Sequence, residues 1–264
     1  METVADSRGR TIVAKQSVQA PMHLSKPYWD GDYLIVQAVN CTAGMFSGDE
    51  ILFSVSALDR ASTVVTSPSA SRVFRARSGE EPAQLRQEFR VGAGAWLEFC
   101  PEVFIPHRGC RASQRTRIDV EEGGGLLFIE SFAPGRVASG EAFLFEQLDW
   151  LTEVNVAGRL LAREKYLLAP ANGSLTPMRE IYPTAYYSSA YLVSPALQGR
   201  VDVRAAISAL AGDDGMMAAS FLGADSLAVK ILAPHSIALR RCLARLREYC
   251  YAELGRPLPR WRKL

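Results

Sequence analysis

A period of two residues dominates this chain from about residue 10 to residue 168. Apolar and polar side chains alternate through short runs rich in β-branched and aromatic residues, which is typical of β-strands. The predicted strands are residues 33–39, 51–57, 62–66, 87–91, 96–99, 116–120, 125–131, 141–145 and 160–168. No long helical period interrupts them. A doubly wound α/β nucleotide fold is therefore excluded, and a barrel, a sandwich or a coiled sheet is predicted.

The C-terminal part of the chain has a different pattern. Helices are predicted over residues 201–211 and 236–254, with a last strand over residues 226–232 between them. Ser236 suits the N-cap of the second helix, and Gly255 ends it. We expect a single domain over residues 1–264, with a β body at about 10–200 and a helical and strand part at about 201–264.

Composition narrows the class of protein. Hydrophobic residues make up 48% of the 264 residues, enough for a sizeable core, and the formal net charge is only +2. That balance argues against a nucleic-acid or membrane partner. The first twenty residues lack the apolar region of a signal peptide, and no apolar run is long enough to span a membrane. The five cysteines, an odd number without C-x-x-C spacing, predict reduced thiols in the cytoplasm.

Several acidic residues occupy apolar settings. Asp49 and Glu50 end a glycine-bracketed turn that begins at Gly44, and Glu141 follows another glycine turn. Glu98 lies within a strand, where it either faces solvent by simple alternation or is buried with a partner. Four consecutive apolar residues precede Glu130, which predicts a strand buried on both faces and a carboxylate that needs a partner, a water or a metal.

Two functions remain open for these acids. Carboxylate oxygens bind divalent cations, so a spaced set of them could pass a cation weakly through a β body. Alternatively, Glu98 and Glu130 could act as the acid pair of a carbohydrate hydrolase. The distance between the two carboxyl groups, which would decide between these functions, is not readable from sequence.

Five segments, in this order, resemble the urease accessory protein family known as UreD or UreH. They are a glycine-rich turn ending in an acid, a Thr-x-Pro segment, a Leu-Glu segment, a Gly-Arg-x-x-x-Gly-Glu-x-Phe segment and a closing Leu-Pro-Arg-Trp, at residues 44–49, 66–75, 97–102, 135–143 and 258–261. The resemblance covers roughly residues 20 to 262.

The resemblance implies a mainly β, β-helix-like body with two helices near the C-terminus. It also implies a chaperone or scaffold in urease maturation, not an enzyme, which binds UreF-like and UreG-like proteins and apo-urease. No cofactor is expected to bind tightly; Ni²⁺ is expected to pass transiently along an internal polar path. The implied path residues are Asp49, Glu50, Glu130 and Ser71, with Glu98 and Glu141 in weaker positions. The chain has no P-loop, so GTP binding is left to the UreG-like partner.

A stripe of leucines on the last predicted helix suggests a further surface. Leu239, Leu243 and Leu246 share one helical face, which either docks a partner helix or packs on the β body of the same chain. Arg260 and Trp261, in the closing motif, extend the predicted partner-binding surface.

Overall fold

The computed structural model describes residues 1–200 and 202–261, within which the chain forms twenty β-strands and three α-helices. The first ten strands are β1 Glu2–Ala5, β2 Thr11–Lys15, β3 Met22–Leu24, β4 Tyr28–Asp30, β5 Tyr33–Asn40, β6 Glu50–Ala57, β7 Ser62–Thr66, β8 Ser71–Val73, β9 Ala83–Val91 and β10 Trp96–Cys100. The others are β11 Phe104–Pro106, β12 Arg111–Val120, β13 Gly125–Phe132, β14 Gly135–Arg136, β15 Glu141–Ala142, β16 Gln147–Val156, β17 Arg159–Leu168, β18 Tyr186–Val193, β19 Met216–Gly223 and β20 Ser226–Ala233. The helices are α1 Thr176–Ile181, α2 Val203–Ala209 and α3 Ser236–Glu253.

Most strands belong to two large sheets whose inner faces share a hydrophobic cluster. Sheet 1 has the order β17-β16-β12-β9-β6-β1-β2, and sheet 2 has the order β19-β20-β18-β13-β10-β7-β5-β3. Strand β4 pairs with β5, while β11 pairs with β13 and β8 at the side of sheet 2. Strands β14 and β15 form a separate two-stranded ribbon.

From β5 to β16 the chain alternates between the two sheets, so that its path is a coil. Strands β6, β9, β12 and β16 pair in parallel in sheet 1. Strands β5, β7, β10 and β13 pair in parallel in sheet 2. The predicted mainly β, coiled-sheet body with helices near the C-terminus is therefore confirmed.

The turns that lead from sheet 1 to sheet 2 stack on one another. The amide of Trp96 donates to the carbonyl of Ala61 at 2.8 Å, and the amide of Gly125 donates to the carbonyl of Ala95 at 2.8 Å. A Cβ atom on Gly124 would lie 3.0 Å from the carbonyl oxygen of Gly92 in the adjacent turn. The close approach of the two turns therefore explains why residue 124 is a glycine.

Sheet 2 is buried on both faces. On its inner face, Phe99 and Phe128 pack against Phe89 of sheet 1. On its outer face, Trp96 and Ile129 belong to a second cluster that includes α2 and α3. The C-terminal helices thus act as a third layer over the coil.

Some elements differ from the predictions. The chain is extended over only two residues of the predicted strand 141–145, because Phe143 adopts a left-handed backbone conformation with φ of 55°. The sequence patterns did not predict β1, β2, β3, β4, β8, β11, β14, β16, β18, β19 or α1.

The N-cap prediction for α3 was wrong. His235 is the N-cap, and its Nδ1 accepts a hydrogen bond from the amide of Ala238 at 3.1 Å, whereas Ser236 is the first helical residue. Helix α2 begins at Val203, and the predicted start of that helix at Val201 lies outside the described residues.

Cys41 is exposed, and the other four cysteines, Cys100, Cys110, Cys242 and Cys250, are buried. Among the described residues, none of the helices has the length and apolar character needed to span a bilayer.

A buried ion pair fastens α3 to sheet 2. Glu98 of β10 is fully buried, and its carboxylate accepts hydrogen bonds from Nε and Nη2 of Arg247 on α3. The hydroxyl of Tyr251 donates to the same carboxylate at 2.7 Å and accepts from Nε1 of Trp96 at 3.0 Å. Removing one member of such a buried pair leaves the other charge without compensation.

Replacing Glu98 by Gln should therefore lower the free energy of unfolding by about 3–5 kcal/mol. Urea denaturation followed by tryptophan fluorescence measures the change. Asp119→Asn is the matched control, because Asp119 and its partner Arg117 are both exposed, and it should change stability by less than about 0.5 kcal/mol. Small and equal losses in the two variants would contradict a structural role for the Glu98–Arg247 pair.

Candidate functional site

A layer of polar side chains crosses the interior between the two sheets. Gln87, Gln114, Thr116 and Thr152 occupy inward positions of three adjacent strands of sheet 1 and are all buried. The amide of Gln114 lies 3.3 Å from Oγ1 of Thr116, which donates to Oε1 of Gln87 at 3.0 Å. Apolar clusters lie on both sides of this layer along the strands. Buried polar groups of this kind are retained only where they satisfy one another.

Glu130 of β13 enters this layer from sheet 2. It is 5% exposed, and its carboxylate accepts hydrogen bonds from Nε2 of Gln114 at 2.9 Å and from Oγ1 of Thr152 at 2.8 Å. Burial raises the pKa of Glu130 to about 7, although the hydrogen bond from Thr152 favours the ionised form. The side chain therefore exchanges a proton near neutral pH.

A cavity of about 140 Å³ connects Glu130 with the surface. Its inner wall includes Gln87, Gln114 and Glu130, and its outer wall is formed by residues 42–45 and 69–72. Several residues of the outer wall are exposed. The volume is sufficient for several water molecules.

The glycine turn at the cavity opening has a steric reason. The amide of Met45 donates to the carbonyl of Arg72 at 2.8 Å, which draws the turn onto β8. A Cβ atom on Gly44 would lie 2.6 Å from that same carbonyl oxygen. Only glycine permits this approach, so the turn shapes the outer wall of the cavity.

A second acid, Glu164, lies beyond the polar layer on the side away from this cavity. The side chains of Glu130, Thr152 and Glu164, which lead inward from the cavity, are called the polar line below. Glu164 of β17 is the cross-strand neighbour of Thr152, and its Oε2 accepts hydrogen bonds from Tyr191 at 2.7 Å and Ser189 at 2.9 Å. Lys230 of β20 forms an ion pair with the same oxygen. Burial alone would raise the pKa of Glu164, but the ammonium of Lys230 and the hydroxyl donors outweigh burial and lower it. Glu164 is therefore ionised at neutral pH.

The structure brings two of the predicted path residues to one cavity, Ser71 and Glu130. Asp49 lies outside it and accepts a hydrogen bond from the amide of Phe46 at 2.8 Å, within its own turn. Glu50 is exposed and borders a different surface depression, beside residues 17–24.

Glu98 and Glu141 also lie outside the cavity. Glu98 faces α3, as described above. Glu141 is bound by the guanidinium of Arg136, which lowers the pKa of Glu141, and its Oε2 lies 2.8 Å from Nε of Arg136.

The alternative hypothesis of a hydrolase acid pair is wrong. Glu98 pairs in register with Leu127, whose side chain belongs to the outer cluster of sheet 2. Successive side chains on a strand alternate between its faces, so Glu130, three residues beyond Leu127, points to the inner face. The two carboxylates therefore lie on opposite faces of one sheet, and Glu98 is sealed by Arg247.

The leucine stripe of α3 packs on the chain's own body. Leu239 and Leu246 are buried in the cluster shared with sheet 2, so they are not free to dock a partner helix in this structure. Leu243 is partly buried and lines a surface groove together with Arg260 and Trp261. Of the two alternatives for this stripe, packing on the chain's own body holds for Leu239 and Leu246, and the partner-binding surface stays a prediction.

Sequence reasoning missed most of the polar layer. The missed residues are Gln87, Gln114, Thr116, Thr152, Glu164, Ser189 and Lys230. For Gln87 a signal existed, because it is in phase with the apolar Phe89 and Val91 on a predicted strand. For Lys230 none existed, because its partner Glu164 lies 66 residues earlier in the chain. Among the described residues, no three His, Cys, Asp or Glu side chains are grouped so as to hold a metal ion.

The structure is thus a coil of parallel strands with a hydrogen-bonded polar layer inside it, and the two acids of the hydrolase hypothesis lie on opposite faces of one sheet. Comparison with known proteins gives the family. Residues 2–263 match the UreD urease accessory protein family.

A urease accessory protein UreD from Opitutus terrae is 38% identical over 259 residues, which cover 96% of this chain and 92% of the relative. The UreD proteins of Cenarchaeum symbiosum and Paracoccus denitrificans are 25% and 29% identical, over 97% and 84% of this chain and 92% and 77% of the relatives. The chain belongs to the UreD urease accessory protein family. Its role is accordingly an accessory one in urease maturation, and it is not an enzyme.

The raised pKa of Glu130 predicts a pH dependence of stability. Between about pH 4.5 and 7 the folded protein holds a proton on Glu130 that the unfolded chain has released. The free energy of unfolding should therefore fall as pH rises through this window, by on the order of 3 kcal/mol. In Glu130→Gln this contribution should be absent.

Urea denaturation of both proteins at several pH values tests this expectation. Glu141→Gln is the control of opposite sign, because the pKa of Glu141 is lowered and its contribution is lost as pH falls. If the wild type and Glu130→Gln gave parallel curves of stability against pH, Glu130 would not hold the proton.

Proposed function

We propose that this protein is a scaffold for nickel insertion into urease, which holds apo-urease together with UreF-like and UreG-like proteins and conducts Ni²⁺ through its interior. The observation that supports the path is the line of polar side chains from the cavity to Glu130, Thr152 and Glu164. Each neighbouring pair in that line is joined by a hydrogen bond or by cross-strand pairing.

The chemistry of this line suits a cation in transit. Its donors are carboxylate, hydroxyl and amide oxygens, whereas imidazole and thiolate ligands would hold Ni²⁺ more firmly. Each carboxylate already has hydrogen-bonding partners, so a passing cation competes with them and is released easily. Ser71 lies at the outer wall of the cavity, and Asp49 and Glu50 remain predicted path residues outside it.

The proposed partners complete the assembly. The UreG-like protein would supply GTP hydrolysis, for which this chain has no P-loop. The groove with Leu243, Arg260 and Trp261 is the part of the predicted partner surface that remains accessible. An odd number of cysteines without C-x-x-C spacing suits the cytoplasm, where we place this assembly.

Removing the charge of Glu130 tests the proposed path. In cells that express urease and its accessory proteins, Glu130→Gln should lower the nickel content of purified urease by about tenfold, the effect of about 1.4 kcal/mol. Inductively coupled plasma mass spectrometry measures nickel, and a pull-down on the variant shows whether apo-urease still binds.

Asp119→Asn, a charge removal on the exposed face of sheet 1, serves as the control and should leave nickel content unchanged. Full nickel loading of urease with Glu130→Gln would exclude the interior path. Loss of apo-urease from the pull-down would instead assign Glu130 to scaffold integrity.

A further inference from the structure

The structure contains a cation at one end of the polar line, the ammonium group of Lys230. Its Nζ pairs with Oε2 of Glu164 and lies 2.7 Å from Oγ of Ser189. The side chain of Glu164 is 19% exposed and that of Lys230 is 37% exposed, so this end of the line reaches the surface. A charged amine therefore occupies the position where a metal ion leaving the interior would meet its last carboxylate.

The surroundings of Glu164 are those of an oxygen-rich cation site. Its carboxylate is contacted by the hydroxyl groups of Tyr187, Ser189 and Tyr191. Burial and the nearby carboxylate of Glu164 raise the pKa of both tyrosines, so they stay neutral. Without Lys230, one ionised carboxylate and three hydroxyl oxygens would converge, which are ligands suited to a divalent cation.

The ammonium of Lys230 also faces two tyrosine rings. Its Nζ lies 5.3 Å from the ring centroid of Tyr191 and 5.9 Å from that of Tyr187, within the range of cation–π attraction. Its flexible four-carbon stem and partial exposure allow the ammonium to move toward water while the stem stays packed. Leaving Glu164 therefore does not strand the charge inside the protein.

We propose that Lys230 is a displaceable resident cation, which neutralises Glu164 when no metal is present and is displaced by a divalent cation that arrives through the interior. Lys230 thereby keeps Glu164 from trapping the metal, because the tethered ammonium returns to the carboxylate as the metal leaves. This inference rests on the proposed interior path and assigns to Lys230 a positioning role.

Lysine labelling on the unmodified full-length protein tests the displacement directly. A limiting amount of an amine-reactive acetylating reagent is applied with and without Ni²⁺, and modification at each lysine is measured by mass spectrometry of peptides. Modification of Lys230 should rise several-fold with Ni²⁺, while that of Lys165, an exposed lysine adjacent to Glu164 in the sequence, should not change. Equal labelling of Lys230 with and without saturating Ni²⁺ would overturn the proposal.

Variants provide a second measurement. In equilibrium dialysis with Ni²⁺, Lys230→Gln should bind the metal about tenfold more tightly than the wild type, a change of about 1.4 kcal/mol. Lys230→Arg keeps the charge and should behave as the wild type, and Lys165→Gln is the matched control. The double variant Glu164→Gln with Lys230→Gln should lose the gain in affinity; if it binds Ni²⁺ as tightly as Lys230→Gln, the metal is not held by Glu164 and the proposal fails.

These outcomes separate the inference from the proposed function. If Glu130→Gln lowers nickel delivery to urease but Ni²⁺ does not expose Lys230, the path stands and the displacement is wrong. If Ni²⁺ exposes Lys230 but Glu130→Gln delivers nickel normally, Glu164 binds cations apart from any path through Glu130, and the inference fails as stated.

Discussion

Burial of sheet 2 on both faces is the constraint on which the rest of the structure depends. All eight residues of β13 are buried, so a polar side chain on this strand must find its partner on whichever face it points to. Glu130 points inward to Gln114 and Thr152, and Ser131 bonds to Ser188 within sheet 2. On β10 the same rule turns Glu98 outward, where Arg247 brings α3 onto the sheet. The requirement that each buried acid has a partner on its own face of the sheet thus gives Glu98 a structural role and places Glu130 in the polar layer.

The sequence contained enough information for most strands of the coil, although not for β16, and for the burial of Glu130, because both follow from local patterns. Four apolar residues before Glu130 mark a strand with two buried faces, and alternation around Phe89 marks an inward Gln87. The relative orientation of Glu98 and Glu130 required the pairing of β10 with β13, which no local pattern specifies. The Glu164–Lys230 pair depends on β18 as well. The sequence patterns did not predict that strand, so they could not predict the pair.

The glycine turn at residues 44–50 stands out in the sequence for its two acids, whereas in the structure its contribution is steric. Gly44 is needed for the contact with the carbonyl of Arg72, and Met45 is buried in the apolar cluster beside the polar layer. Phe46 stacks on Phe74, with ring centroids 4.7 Å apart, and Asp49 holds the turn by accepting from the amide of Phe46. The turn forms the wall of the opening, while the acids that face the interior come from β13 and β17.

Charge balance connects the resting fold with the proposed passage of a metal ion. In the structure, the carboxylate of Glu164 is neutralised by Lys230, and Glu130 carries a proton for part of the time at neutral pH because its pKa lies near 7. The interior therefore holds little net charge, which limits the desolvation cost that two buried carboxylates would otherwise impose. In the proposed passage, a divalent cation at Glu130 would displace that proton, and at Glu164 it would displace the ammonium. Because one positive charge would leave each position as two arrive, the net charge there would rise by one instead of two, which lowers the electrostatic cost of the ion between the two sheets.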